Sequence, residues 1–440
     1  MDTIINASWV IPVDPDNRIL QNHSILIEAG RIVAILPSQQ VVEFQARKTV
    51  DLPGHALLPG FINTHTHAAM SLLRGVADDL SLDDWLNGHI WPLETRWVGE
   101  AFIRAGSRLS IAEMLKTGTT CFNDMYYFPD QTAQVAEQAG IRASLGLILL
   151  DFPTIWANDP EEYFSKGLEL HDRLQSHSHI TTAFAPHAPY TVSNGPLKKL
   201  QILADELDIP IHIHVHETSA EIVNAITEHG YRPLERLRTL GLLTSRVQCV
   251  HMTQLLESEI AMLAEHGSHI VHCPESNMKL ASGYCPVSNL LEGGVNVALG
   301  TDSAASNNNL NMLAEMRTAA LLAKNYAADP TVLPAWQALR MATINGARAL
   351  GLDQQTGSLE EGKAADMIAV DMNRLQTQPL YDPVSQLVYA ADSSQISDVW
   401  VAGRRVLEDG ELLTMDENAI LKESQQWGTQ IQLWKQQSQL

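Results

Sequence analysis

The sequence predicts an α/β protein, a closed (β/α)8 TIM barrel with a small β-sandwich formed by both chain ends. Three observations predict it. Eight short apolar runs rich in β-formers each end in a polar residue able to bind a metal or move a proton; stretches with helical spacing of apolar residues lie between them; and both ends of the chain read as strands and turns. Alternating strand and helix argues for a parallel sheet, and eight such units within about 300 residues argue that the sheet closes on itself.

Residues 1–57 supply the first part of the sandwich. Short strand-like runs at 3–11, 24–28, 31–36 and 49–52 are broken by turn signals at 12–17 and at Ala29-Gly30. Residues 58–361 supply the barrel, whose strand candidates are 57–67, 119–124, 142–151, 180–187, 210–217, 247–251, 269–277 and 295–302. Helical spacing is clearest at 101–115, 197–207, 220–237, 257–265 and 310–322. Residues 362–440 return to the style of the beginning at 365–371 and 399–406. A helical tail near 417–437 follows, whose Trp427, Ile431 and Trp434 are placed to pack on the body or on a second subunit.

Composition narrows the function. A chain of 440 residues, 45% of them hydrophobic, can bury a large core. No run of 18 uncharged apolar residues occurs and no basic segment follows Met1, so neither a membrane span nor a signal peptide is expected, and the predicted location is cytoplasmic. Cys121, Cys249, Cys273 and Cys285 are scattered without a C-x-x-C pair, which predicts reduced core thiols. A formal charge of -22 without a Lys/Arg cluster argues against nucleic acid as a partner and for a small neutral or cationic substrate.

The ends of the apolar runs carry the chemistry. Thr64-His65-Thr66-His67 closes the first run, and strand alternation points both imidazoles the same way, about 7 Å apart along the chain. In the fifth run His212, His214 and His216 share one face; at least one should reach the barrel axis, the others forming a hydrogen-bonded polar layer. Asp302 ends the eighth run. Two histidines, a third from the fifth strand and one aspartate make a nitrogen and oxygen set suited to Zn2+ or Fe2+, with a position left for water.

Four stretches give the chain a family resemblance: PGFINTHTHAAMSLLRGVADDLSLDDWL from Pro59, HIHVHETSAE from His212, HCPESNMKLASG from His272 and LGTDSAASNNNLNMLAEMR from Leu299. With the closing segment 342–371, they resemble the amidohydrolase superfamily, and within it the 5-methylthioadenosine/S-adenosylhomocysteine deaminases. The resemblance implies His65, His67, His214 and Asp302 as metal ligands. His214-Val215-His216-Glu217 matches the family's His-x-x-Glu, which implies Glu217 as the acid that handles protons and His251 as its partner on the sixth strand. Two-metal members carry a bridging lysine on the fourth strand; none occurs in 180–187, so one metal per subunit is expected.

The implied reaction is hydrolytic deamination of 5'-methylthioadenosine, with S-adenosylhomocysteine or adenosine as further substrates, to the inosine analogue and ammonia. Adenine C6 is a poor electrophile, so the metal would lower the pKa of bound water to about 7 and yield hydroxide. Asp302 would take the water's proton, Glu217 would protonate N1 and His251 would orient the nucleophile. Trp85, Glu94 and His187 match groups that contact the nucleoside, with Glu94 suited to both ribose hydroxyls. Residues 143–165, taken to line the 5' end of the site, hold Asp151, Asp159, Glu161 and Glu162 and no Lys or Arg, which favours an uncharged thioether tail; an arginine at Leu147 would then weaken the preference. A guanine deaminase or s-triazine (chlorotriazine) hydrolase is the alternative within the superfamily. A homo-oligomer is expected.

Overall fold

The computed structural model describes residues 1–438. Eight parallel strands, Phe61–Thr66, Thr119–Asp124, Arg142–Leu149, Ile180–Pro186, Ile211–Val215, Val247–His251, His269–His272 and Asn296–Leu299, neighbour one another in chain order. Helices cover their outer face, so both faces of the sheet are buried and the strands read as almost continuous apolar runs.

The seam between the last strand and the first is closed largely by side chains. Asn63 donates from Nδ2 to Thr301 Oγ1 at 2.7 Å and accepts from the Thr301 amide at 3.0 Å; Thr64 Oγ1 donates to the Leu299 carbonyl at 2.7 Å. The Asp302 amide then donates to the His65 carbonyl at 3.0 Å. Gly300 makes this approach possible, because a Cβ there would lie 2.8 Å from His65. The seam therefore sets His65 directly beside Asp302.

The run 57–67 is two strands rather than one. Lys48–Pro59 belongs to the terminal sheet and Phe61–Thr66 to the barrel, with Gly60 between them at a point where a Cβ would sit 2.2 Å from Thr120. The terminal sheet runs Glu411–Leu412, Arg404–Glu408, Ile396–Val401, Met367–Asp371, Lys48–Pro59, Thr3–Val10, Leu20–Glu28, Arg31–Pro37. It doubles back on itself: Ile32 exchanges backbone hydrogen bonds with Lys363 and Gly362, and the Ala365 amide donates to the Gly30 carbonyl. Ile5, Ile25, Ile27, Leu57, Met367 and Trp400 fill the enclosed core.

Helices differ from the expected ones where periodicity misleads. The stretch 220–237 is broken into Ser219–His229 and Pro233–Thr239, because Gly230 turns left-handed at φ +80° and Pro233 restarts the chain. Pro129–Ala139 and Pro160–Leu174 are further helices, each with a proline in its first turn; Asp159 caps the second by accepting from the Glu162 amide at 3.0 Å. The final helix, Glu417–Ser438, packs on the body of its own chain. Trp427 meets Trp97 and Phe102 edge-on, Ile431 is buried, and Lys435 Nζ donates to the Val76 carbonyl at 2.6 Å. All four cysteines are buried and free, and among the described residues no helix is long and apolar enough to cross a membrane.

Candidate active site

Polar side chains from the carboxyl ends of the strands converge on one pocket, roofed by the segment that contains the helices Leu82–Trp85 and Trp91–Trp97. His67 lines it from the end of the first strand, and His65 lies fully buried beside it, their ring centroids 4.8 Å apart. Of the three fifth-strand histidines, His214 reaches the pocket. His212 lies beneath, against His65, and His216 turns away toward the Leu234 amide.

Hydrogen bonds behind the rings decide what the rings present. His67 Nδ1 lies 2.5 Å from the Met125 carbonyl and His214 Nδ1 2.7 Å from the His187 carbonyl. A carbonyl only accepts, so both rings donate from Nδ1 and turn a bare Nε2 inward. His214 Nε2 is 3.2 Å from His65 Nε2, and Asp302 Oδ1 is 3.3 Å from Nε2 of both His65 and His67. Nitrogen and oxygen lone pairs facing one another at such distances fit a cation at their centre; the same atoms, with His251, form groups spaced within 4.8 Å of one another. Burial holds the His65 ring down to about 4 and the His214 ring well below its ordinary value, so these rings stay neutral, as ligands must. Burial would raise the Asp302 carboxyl, yet beside His65 the group stays well below the usual range and faces the rings as a carboxylate.

Asp302 Oδ2 is held by two hydroxyls, Ser276 Oγ at 2.6 Å and Ser306 Oγ at 2.8 Å, which leaves Oδ1 for the centre. His251 is fixed from behind by Asn277 Oδ1, 2.8 Å from its Nδ1, and its Nε2 lies 3.8 Å from Glu217 Oε2. Burial raises the Glu217 carboxyl, His251 pulling in the other direction. Glu221 ties this corner together, accepting the His216 amide at 3.0 Å and the Glu217 amide at 2.7 Å.

Trp85, Glu94 and His187 all line the same pocket. Trp85 is also part of a buried apolar cluster with Met70, Leu93 and Phe102. Glu94 accepts from the Tyr126 hydroxyl at 2.6 Å, and burial lifts its carboxyl to about 7 despite that bond. Burial holds His187 down to about 3. The residues 143–165 require correction. Only Ile148 among them lines the pocket; Asp151 accepts the Ser193 amide, Asp159 caps a helix, and Glu161 and Glu162 pair with Lys199 and Lys166. Leu147 is buried against the outer helix at Gly167 and does not face the site. A larger acidic mouth opens beyond Tyr190 and Leu280, lined by Asp83, Glu221 and Glu228 and, among the described residues, by no Lys or Arg.

The sequence reading missed Tyr126, Ser276, Asn277, Ser306, Gln248 and Asn123. Signals existed for four of them: Tyr126 follows the end of the second strand by two residues, and Ser276, Asn277 and Ser306 lie within the stretches that carry the resemblance. Gln248 and Asn123 stand inside apolar strands and show their purpose only through contacts.

Comparison with known proteins agrees with this architecture. The amidohydrolase family matches residues 56–406. A 5-methylthioadenosine/S-adenosylhomocysteine deaminase of Teredinibacter turnerae is 51% identical over 428 residues, 97% of each chain. The crystal structure of an adenosine deaminase from Xanthomonas campestris with bound zinc superposes with a TM-score of 0.97 at 49% identity, over 98% of this chain and 99% of that one. An atrazine chlorohydrolase from Arthrobacter aurescens complexed with zinc superposes with a TM-score of 0.90 at 26% identity, over 97% of this chain and 100% of that one.

Proposed function

The chain belongs to the amidohydrolase family, and from that premise we propose that it is a zinc-dependent deaminase of 5'-methylthioadenosine and related adenine nucleosides. It replaces the C6 amino group with oxygen and releases ammonia. One observation carries the reading most: Glu217, a carboxyl that burial favours in its protonated form, lines the same pocket as His67, His214 and Asp302.

His65, His67, His214 and Asp302 would hold one zinc ion, Fe2+ being the alternative that the same donors accept. When bound, it supplies Lewis acidity that makes a water molecule nucleophilic near neutral pH. Asp302, its Oδ2 occupied by Ser276 and Ser306, accepts the water's proton at Oδ1. Glu217 donates a proton to purine N1, so attack at C6 does not build negative charge on the ring. His251, braced by Asn277, orients the attacking water. Glu94 receives the ribose hydroxyls, His187 hydrogen-bonds the nucleoside, and Trp85 closes the apolar side. The acidic mouth, lined by no Lys or Arg among the described residues, suits an uncharged methyl thioether better than a carboxylate tail. A cytoplasmic homo-oligomer is the form in which we expect the enzyme; exposed Leu375, Tyr381 and Ile155 offer apolar surface for association.

The test is a comparison of kcat/KM for the zinc-loaded protein on methylthioadenosine, S-adenosylhomocysteine, adenosine, guanine and a chlorotriazine, read by ammonia or chloride release. Preference for guanine or the chlorotriazine overturns the reading.

A further inference from the structure

Two of the inward-facing rings have their orientation fixed by a backbone carbonyl, Met125 for His67 and His187 for His214. His65 has a different support. Its Nδ1 lies 2.8 Å from His212 Nε2, and His212 Nδ1 lies 2.9 Å from Gln248 Oε1. Two imidazoles in series leave the protons undetermined unless something outside them fixes one end.

We propose that Gln248 is a positioning residue that sets the tautomer of His65 through His212, and so presents the His65 Nε2 lone pair to the metal. The Ala349 carbonyl, an acceptor only, lies 2.8 Å from one atom of the Gln248 amide, which must therefore be the nitrogen. The other atom is then oxygen, and Asn123 Nδ2 also donates to it at 3.0 Å. Asn123 is itself anchored on the Thr64 carbonyl at 3.2 Å. An oxygen facing His212 Nδ1 requires the hydrogen to be on that nitrogen. A neutral His212 then has a bare Nε2, so the hydrogen between the rings belongs to His65 Nδ1, and the neutral His65 ring is left bare at Nε2. His65, His212, Gln248 and Asn123 are each fully buried, so bulk water cannot substitute for any link.

The proposal rests on His65 being a ligand, and two measurements separate it from that reading. The first uses the unaltered, zinc-loaded protein with 15N-labelled histidine. His65 and His212 should both carry a hydrogen on Nδ1 and none on Nε2. A hydrogen on His212 Nε2, or none on His65 Nδ1, overturns the relay. The second is zinc affinity by chelator competition. Gln248→Met keeps the volume, removes both polar ends and should weaken zinc binding about 10- to 100-fold. Gln248→Glu, protonated in this buried place, reproduces acceptor and donor and should restore affinity to within about threefold. A packing role alone would make the two variants alike, and unchanged affinity in Gln248→Met overturns the proposal. If that variant fails to fold, the 15N measurement decides alone. His65→Ala with zinc retained would instead overturn the reading of the site, and the role of Gln248 with it.

Discussion

Glu94 should give the enzyme an acid limb in its pH profile near pH 7. A carboxylate can accept from both ribose hydroxyls, whereas its protonated form has one oxygen committed as a donor. Burial lifts this carboxyl from an ordinary 4.5 to about 7, so the useful form is lost as pH falls through neutrality. The ionised fraction is about 50% at pH 7 and about 9% at pH 6, a fall of roughly fivefold, and then about tenfold for each further unit. The Tyr126 hydroxyl, 2.6 Å from Oε1, stabilises the ionised form, so Tyr126→Phe should move the limb to higher pH. The assay is kcat/KM for methylthioadenosine between pH 5.5 and 9, with metal occupancy checked at each end. Glu94→Gln should lower the plateau and remove the limb. A flat profile from pH 8 to 6 in the natural protein, or an unchanged limb in Glu94→Gln, would refute the reasoning. Stability runs the opposite way: the folded state holds the proton that the unfolded chain has lost between pH 4.5 and 7, so stability is lost as pH rises through that window. Glu94→Gln should therefore raise Tm at pH 8, and the gain should shrink toward pH 5.

Other perturbations separate ligands from proton donors. His65→Ala and Asp302→Asn should each lose zinc and activity while keeping the circular-dichroism spectrum, since both lie at strand ends above a packed barrel; elemental analysis is the check. Glu217→Gln should keep its zinc and lose at least ~100-fold in kcat, because it removes a proton donor and no ligand. Near-normal turnover would exclude it as the acid. The natural protein should favour methylthioadenosine over S-adenosylhomocysteine by about tenfold or more in kcat/KM, since a charged hydrogen bond to a carboxylate is worth roughly 1.5–3 kcal/mol and the mouth offers no cation to make one. Equal rates would show that a cation reaches the mouth from another subunit.

The barrel was legible because its strands carry two signals at once, an apolar run and a polar last residue. His65, His67, His214 and Asp302 stand where those runs stop, and strand alternation alone placed the first two on one face. What could not be read was support from a distance. Tyr126 reaches Glu94 across 32 residues and Gln248 reaches His212 across 36, contacts that no local pattern encodes. Residues 143–165 failed as a specificity signal for a related reason. Sequence shows charge but not direction, and every carboxylate in that stretch already serves a cap, a backbone amide or an outer lysine. The acidic surface that does border the site comes from the segment around Asp83 and from the helix Ser219–His229.

Backbone conformation explains why the strand ends aim so many groups at one point. A strand continued in regular pleat would send alternate side chains to the outer face. Instead the chain turns left-handed at His216 (φ 54°) after the fifth strand, at His251 and Met252 (φ 74° and 50°) at the end of the sixth, and at Asp302 (φ 60°) after the eighth. For residues with a Cβ each such turn costs of order 1–3 kcal/mol and persists only where surrounding bonds over-determine it. Those bonds are present: Glu221 on the His216 and Glu217 amides, Asn277 on the His251 ring, and Ser276 and Ser306 on the Asp302 carboxylate. Glu221, Asn277 and the two serines thus hold strained strand ends in place. Glycine at Asp302 or His251 would relieve the backbone but remove the side chain the turn exists to aim.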